Sequence, residues 1–116
     1  MAEPYTHAIW RVKPGRAEEF IRRWEEFAYW AMEQTPGILW GILLRDTEDP
    51  DVFISTGAWE SAEHIPVWIK NPDALKRTEA IRQLVDRFEP RTMELVAVRD
   101  PEEWGRFSQR HERLDR

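Results

Sequence analysis

Apolar residues in this chain of 116 residues follow two periods, and the order of the two periods restricts the fold. A two-residue period indicates a β-strand, and a stripe at three- and four-residue spacing indicates a helix. The predicted strands cover residues 5–12, 38–45, 52–60 and 91–99. The predicted helices cover residues 16–34 and 72–89, and a shorter helical segment at 62–70 precedes the second one. The element order is therefore β-α-β-β-α-β.

This order predicts one α+β domain of the ferredoxin-like class, in which an antiparallel four-stranded sheet carries both helices on one face. The domain is expected to cover residues 1–100. Residues 101–116 are predicted to form a polar tail that docks on the domain or crosses to a partner subunit. A chain of this length suffices for one hydrophobic core and not for two.

The predicted strands are apolar on both faces, although helices can cover only one of them. In the first strand, Trp10 and Val12 lie on one face and Tyr5 and Ile9 lie on the other. The uncovered face would expose an apolar patch to water. A second copy of the same sheet is the cover we expect, because twofold pairing is the commonest oligomer symmetry. The sequence thus predicts a homodimer, and coverage by the polar tail is the alternative.

The charge and composition exclude several classes of partner. The net charge of −5 argues against a nucleic-acid-binding surface and against an anionic membrane as partner. The chain has no cysteine, which excludes disulfides and cysteine-ligated zinc. No apolar run approaches the roughly 20 residues that span a bilayer, and the first residues lack the pattern of a signal peptide. We expect a cytoplasmic protein.

Seven tryptophans predict an unusually aromatic interior. Aromatic rings bury about 150–250 Å² each, so they fill a core, a subunit interface or a ligand pocket. Thr6 and four of the tryptophans are candidate substrate-binding residues, namely Trp10, Trp24, Trp40 and Trp59. Small strand residues would leave room for a ligand beneath the helices: Ala8, Gly41 and Gly57. Ordinary core packing is the alternative for each tryptophan.

Four short motifs occur in an order and spacing typical of one family. Pro14-Gly15 ends the first strand, and Glu18 and Phe20 follow in the pattern x-x-E-x-F. The later motifs are the turn at 35–38, the strand exit at 59–64 and Trp68. Together, over about residues 5–99, they resemble the antibiotic biosynthesis monooxygenase family of dimeric α-β barrels.

The resemblance implies a homodimer whose two sheets face each other, with an apolar cavity between each sheet and its own helices. Some members of the family oxygenate aromatic phenols to quinones without metal or flavin, and others cleave haem. Because unrelated functions share one fold, the resemblance does not by itself assign an activity.

His64 and Trp68 are the candidate catalytic residues, since positions i and i+4 of a helix share a face. A histidine exchanges protons near neutral pH, and an indole N–H can position a phenol or quinone oxygen. In the quinone-forming members of the family, an Asn corresponds to His64 and a Tyr corresponds approximately to Ala74. Two alternatives stay open: Trp68 as a plain core residue and His64 as a solvent-facing residue.

Neither a metal nor another cofactor is expected. The haem-degrading members of the family have an iron-ligating His where this chain has Thr78, and an Asn where it has Ala8, which argues against haem cleavage. The acidic segment 46–51 lacks the Gly and the distal Glu of a calcium-binding loop, so we expect a solvated hairpin tip.

Three functions remain in competition. The first is a cofactor-independent monooxygenase that acts on a small aromatic or quinone-type compound in an apolar pocket between helices and sheet. The second is a non-catalytic dimer that holds a small aromatic or lipid-like ligand in the same pocket. The third is an interaction domain, for which Tyr29, Trp30 and the C-terminal tail would provide a further contact surface.

Overall fold

A computed structural model describes residues 3–97, and its elements follow the predicted order. The strands are β1 (Glu3–Val12), β2 (Ile38–Arg45), β3 (Val52–Trp59) and β4 (Val85–Leu95). The helices are α1 (Ala17–Gln34), α2 (His64–Ile69) and α3 (Pro72–Arg82). All paired strands are antiparallel, and the sheet order is β2-β3-β1-β4. The predicted ferredoxin-like α+β fold is confirmed.

The predicted tail at 101–116 and the last residues of the predicted final strand lie outside the described residues. Between residues 3 and 97, no helix has the length and apolarity that a membrane crossing requires.

Helix α1 covers one face of the sheet because its apolar residues recur at helical spacing. Phe20 is fully buried on this helix, and Ala31 is 3% exposed. The helix ends where the N–H of Thr35 donates to the carbonyl of Ala31 at 2.8 Å. Gly37 then turns the chain into β2 with a φ of +97°, a conformation that favours glycine.

The main core lies between α1 and the centre of the sheet. Phe20 contacts Phe53 of β3 with ring centroids 5.0 Å apart and Trp10 of β1 at 5.3 Å. Trp10 also lies 4.3 Å from the ring of Phe88 on β4. These contacts join three strands to one helix, so the Trp10 ring belongs to the core as well as to any pocket beside it.

Helix α3 begins as the sequence predicts. The side chain of Asn71 accepts hydrogen bonds from the backbone N–H groups of Asp73 at 2.9 Å and Ala74 at 3.1 Å. Pro72 occupies the first helical position, where its missing N–H costs nothing. The cap and the proline together fix the start of the helix.

The predicted end of α3 is wrong. The helix ends at Arg82, and residues 85–89, predicted as helical, belong to the first half of β4. Leu84, Val85 and Phe88 have the spacing of a helical stripe, which explains the error. In β4, Val85 and Phe88 share one face only because the β1–β4 ladder shifts register between Arg11 and Val12. Pro90 is tolerated inside β4 because this strand is at the edge of the sheet, where one side of the backbone needs no partner strand.

The sheet face opposite the helices is largely apolar. In β1 it carries Tyr5, His7 and Ile9, and the register places Ile9 directly opposite Ile54 of β3. Leu44 of β2 is also opposite Ile54 and is 55% exposed. We refer to this surface, centred on Ile9, Leu44 and Ile54, as the open face.

The β2–β3 hairpin is closed by its acidic tip. Asp46 Oδ1 accepts hydrogen bonds from the backbone N–H of Glu48 at 2.7 Å and of Asp49 at 3.1 Å. These bonds, with that of Glu48 the larger effect, lower the pKa of Asp46 from its ordinary value of 3.8. The segment stabilises a turn, as expected of a hairpin tip.

Candidate functional site

A cavity of about 460 Å³ lies between the helices and the sheet. Its wall is made mainly of aromatic and small apolar side chains, and every helix and strand contributes to it. Ala8, Gly41 and Gly57 border it from the sheet. Their small size leaves space below α1, where larger strand residues would fill it. The volume is within the range typical of small-molecule sites.

Trp68 borders this cavity from α2. Its ring contacts Trp59 of β3 with centroids 5.4 Å apart and Phe27 of α1 at 5.9 Å. Its Nε1 is buried and has no hydrogen-bond partner within residues 3–97. A buried donor without an acceptor costs about 1–3 kcal/mol, so a ligand oxygen at this position would recover free energy.

His64 is not among the residues that border the cavity. It begins α2, and its ring lies against Gly37, where an added Cβ would overlap the imidazole. The helix therefore brings Trp68 to the cavity and leaves His64 at the turn into β2. The predicted pair does not meet at one site.

Two other predicted residues meet at the floor of the cavity. Trp59 Nε1 donates a hydrogen bond to Thr6 Oγ1 at 3.0 Å. In the same way, Trp10 Nε1 donates to Ser55 Oγ at 3.0 Å. All four residues border the cavity. Ser55 was missed in the sequence, although a hydroxyl at an inward-facing strand position between Phe53 and Gly57 was a usable signal.

The two remaining candidate tryptophans, one on α1 and one on β2, lie on opposite sides of the sheet. Trp24 of α1 lies above Gly41 and borders the cavity. Trp40 borders it too, and its place opposite Ala58 brings its side chain beside Tyr5, with ring centroids 5.9 Å apart. The Trp40 ring therefore lies on the side of the open face, as alternation with its neighbour Gly41 indicates.

Four ionisable residues border the cavity: His7 from β1, Arg91 from β4, and Glu79 and Arg82 from α3. Glu79 and Arg82 lie on the exposed side of that helix and border the cavity. Glu79 Oε1 accepts a hydrogen bond from Gln83 Nε2 at 3.1 Å, and the Arg82 guanidinium lies 5.5 Å from the centre of the Phe88 ring. In the described part of the chain, no group of three or more His, Cys, Asp or Glu side chains is placed to hold a metal.

Residues 5–80 match the family model described as antibiotic biosynthesis monooxygenase. No protein with curated annotation matches the sequence.

Solved structures share the fold at low sequence identity. A cofactor-independent oxygenase from Streptomyces nogalater is 18% identical with a TM-score of 0.70, covering 87% of this chain and 98% of that protein. A candidate antibiotic biosynthesis monooxygenase from Chloroflexus aurantiacus is 22% identical with a TM-score of 0.67, covering 84% and 97%. A similar candidate from Deinococcus radiodurans is 16% identical with a TM-score of 0.72, covering 84% and 96%. At these identities the structures establish the shared fold.

Proposed function

The chain belongs to the antibiotic biosynthesis monooxygenase family, and from that premise we propose that it is a cofactor-independent oxygenase of a small aromatic, phenol- or quinone-type compound. The observation that carries the proposal is the cavity of about 460 Å³ between helices and sheet, bordered by Trp10, Trp24, Trp59 and Trp68. Flat aromatic walls favour a flat aromatic ligand. The similarity to the Streptomyces nogalater oxygenase supports the reaction type.

An electron-rich phenolate can supply all the electrons that the reaction needs. An anthrone-type substrate loses a proton, and the resulting phenolate transfers electrons to dioxygen, which forms a new C–O bond at the ring carbon. Loss of water then leaves a carbonyl group. The balance is R₂CH₂ + O₂ → R₂C=O + H₂O, so one oxygen atom enters the product and the other leaves in water. The protein must bind the substrate, accept its proton and exclude solvent.

Trp68 is the residue to which we assign the substrate oxygen. Its unpartnered Nε1 would donate to that oxygen after a small shift of the neighbouring side chains. For His64 we propose a positioning role, because its contact with Gly37 fixes the start of the helix that carries Trp68.

The carboxylate of Glu79 is the proton acceptor in this proposal, since it borders the cavity and its hydrogen bond from Gln83 orients it. Glu79→Gln should slow oxygen uptake at neutral pH. The loss should shrink at alkaline pH, where the phenol ionises without help. Equal losses at both pH values would assign the proton transfer to another group.

The test of the oxygenase proposal is oxygen uptake with a panel of hydroquinones and anthrones. The wild type is compared with Trp68→Phe and with Trp30→Phe as matched control, because Trp30 is an α1 tryptophan that does not border the cavity. Uptake should fall at least tenfold in Trp68→Phe and stay near wild type in Trp30→Phe. Binding of the same aromatic compounds without any uptake would favour the non-catalytic ligand-binding function instead.

We also propose that the protein works as a homodimer that buries the open face. Ile9, Leu44 and Ile54 form an apolar row across three strands, and such a surface favours a self-complementary partner. Ile54→Lys should produce monomers in sedimentation analysis. Tyr29→Lys changes a residue that is 70% exposed on α1 and should leave the dimer intact. A monomeric wild type at micromolar concentration would disprove the dimer, and dissociation by Tyr29→Lys alone would place the interface on the helices.

A further inference from the structure

Two indole–hydroxyl pairs lie side by side on the floor of the cavity. Trp59 Nε1 donates to Thr6 Oγ1, and Trp10 Nε1 donates to Ser55 Oγ, each at 3.0 Å. Both hydroxyl-bearing residues border the cavity, and both are partly exposed.

An indole N–H can only donate, so each hydroxyl acts as the acceptor and keeps its own proton. Neither the Thr6 nor the Ser55 hydroxyl makes a second hydrogen bond within residues 3–97. Each pair therefore presents one unused O–H donor whose direction is restricted by the indole. A donor that itself accepts a hydrogen bond is polarised and binds an acceptor more strongly.

We propose that Thr6 and Ser55 form a two-donor subsite that binds two separate oxygen substituents of the aromatic ligand. The inference rests on the proposed function for the identity of the ligand as an aromatic compound. It goes further by specifying that the ring carries two oxygens on opposite sides, as in a 1,4-quinone or its quinol.

The spacing of the two donors follows from the strand register. Thr6 is opposite Gly57, whereas Ser55 is opposite Ala8, so the two hydroxyl residues are diagonal neighbours on β1 and β3. Diagonal neighbours have Cα atoms about 7–8 Å apart. An O–H···O bond spans only about 2.5–3.0 Å, so two donors at this separation reach two oxygen atoms more readily than one.

The small residues opposite them keep the donors accessible. A Cβ added at Gly57 would lie 3.2 Å from Thr6 Oγ1, so the glycine makes room for the hydroxyl. Ser55 is opposite Ala8, which is also a small residue. A ligand ring can then lie flat over the sheet with its two oxygens facing the two hydroxyls.

The test measures equilibrium binding by calorimetry under nitrogen, using naphthalene, 1-naphthol and 1,4-naphthoquinone. The wild type should bind 1,4-naphthoquinone most tightly. Thr6→Val and Ser55→Ala should each weaken naphthoquinone binding about fivefold to tenfold, which is the effect of one lost hydrogen bond. Naphthalene has no oxygen, so its affinity should stay within about twofold of the wild-type value in both variants.

The naphthalene control distinguishes loss of a hydrogen bond to the ligand from a change in the shape of the cavity. Thr6→Val also leaves Trp59 Nε1 without its acceptor. Thr6→Ser keeps the hydroxyl, so its affinity for naphthoquinone should be close to that of the wild type. If either hydroxyl deletion weakens naphthalene and naphthoquinone equally, its hydroxyl only supports the tryptophan and the proposal is overturned. Unchanged naphthoquinone binding in both variants overturns it too.

Because binding is measured without dioxygen, the outcome is independent of turnover. Tighter binding of naphthoquinone than of naphthalene that depends on the two hydroxyls, without any uptake of dioxygen, would support the subsite and reject the oxygenase. Oxygen uptake that is unaffected by both substitutions, with unchanged binding, would support the oxygenase and reject the subsite.

Discussion

The indole ring of Trp68 packs against that of Trp59 with centroids 5.4 Å apart and an angle of 58° between their planes. The contact joins α2 to the end of β3 at the wall of the cavity. The two N–H groups differ: Trp59 donates to Thr6, whereas Trp68 has no acceptor within the described chain. One of the two N–H donors in this contact is therefore satisfied and the other is not. The two residues should differ in their contribution to the stability of the protein and in their availability to a ligand.

Because of this difference, the same substitution at the two tryptophans should destabilise the protein to different degrees. Trp59→Phe and Trp68→Phe remove equal ring volume, but only the first removes a hydrogen bond, and the second removes an unsatisfied donor. Trp59→Phe should lower the free energy of unfolding by about 1–2 kcal/mol more than Trp68→Phe does. Urea unfolding of both variants measures the difference. Equal losses would show that the Trp68 N–H is satisfied in solution.

The turn before β2 should tolerate no side chain at Gly37. This glycine has a φ of +97°, and an added Cβ would overlap the ring of His64. Gly15 is the matched control, because its φ is +79° but nothing lies within 4 Å of an added Cβ. Gly15→Ala should lower the free energy of unfolding by about 1–2 kcal/mol through backbone strain alone, and Gly37→Ala should lower it by more. His64→Ala should relieve part of the excess in thermal unfolding, and absence of relief would contradict the contact.

The two strand glycines at the cavity, Gly41 and Gly57, should respond differently to substitution by alanine. An added Cβ at Gly57 would lie 3.2 Å from Thr6 Oγ1, whereas at Gly41 its nearest neighbours would be 3.8 and 3.9 Å away. Gly41→Ala should therefore leave the free energy of unfolding unchanged or raise it by up to about 1 kcal/mol. Gly57→Ala should lower it and should displace the Thr6 hydroxyl. The same response in both variants would argue against the close approach at Gly57.

The hairpin tip should lose stability in acid. Backbone hydrogen bonds from Glu48 and Asp49 lower the pKa of Asp46 in the folded state below its ordinary value of 3.8. The stabilisation is therefore complete above that value and is lost as the pH falls through the lower, folded-state pKa. The stability difference between wild type and Asp46→Ala should shrink between about pH 5 and pH 2. Asp86→Ala removes an exposed carboxylate with no ion pair within residues 3–97 and serves as control.

Local signals in the sequence predicted much of the fold. Asn71 and Pro72 marked the start of α3 because a cap side chain and a fixed φ act within one turn of the chain. The end of the same helix was missed because the spacing of Leu84, Val85 and Phe88 is that of a helix, and a bulge in the β1–β4 ladder hides the strand period. Only the pairing of β4 with β1, between residues far apart in sequence, decides between helix and strand.

The candidate site was harder to predict for a related reason. Trp40 is an exception, because strand alternation already places it on the face opposite to that of Gly41, which lies below Trp24 of α1. His64 was assigned to the cavity from its spacing to Trp68, but its contact with Gly37 depends on the turn before β2. Ser55 became visible only when the register placed it next to Trp10.

Isotope labelling shows whether the protein oxygenates an aromatic substrate in this cavity with dioxygen alone. The purified protein is incubated with anthrone under ¹⁸O₂, and the quinone is analysed by mass spectrometry at a time when uncatalysed oxidation is small. Quinone should form faster than in buffer, with one ¹⁸O atom in each product molecule, and Trp68→Phe should lose at least tenfold of the excess rate. Quinone formation at the buffer rate, with anthrone bound to the protein, would contradict the proposed oxygenase function.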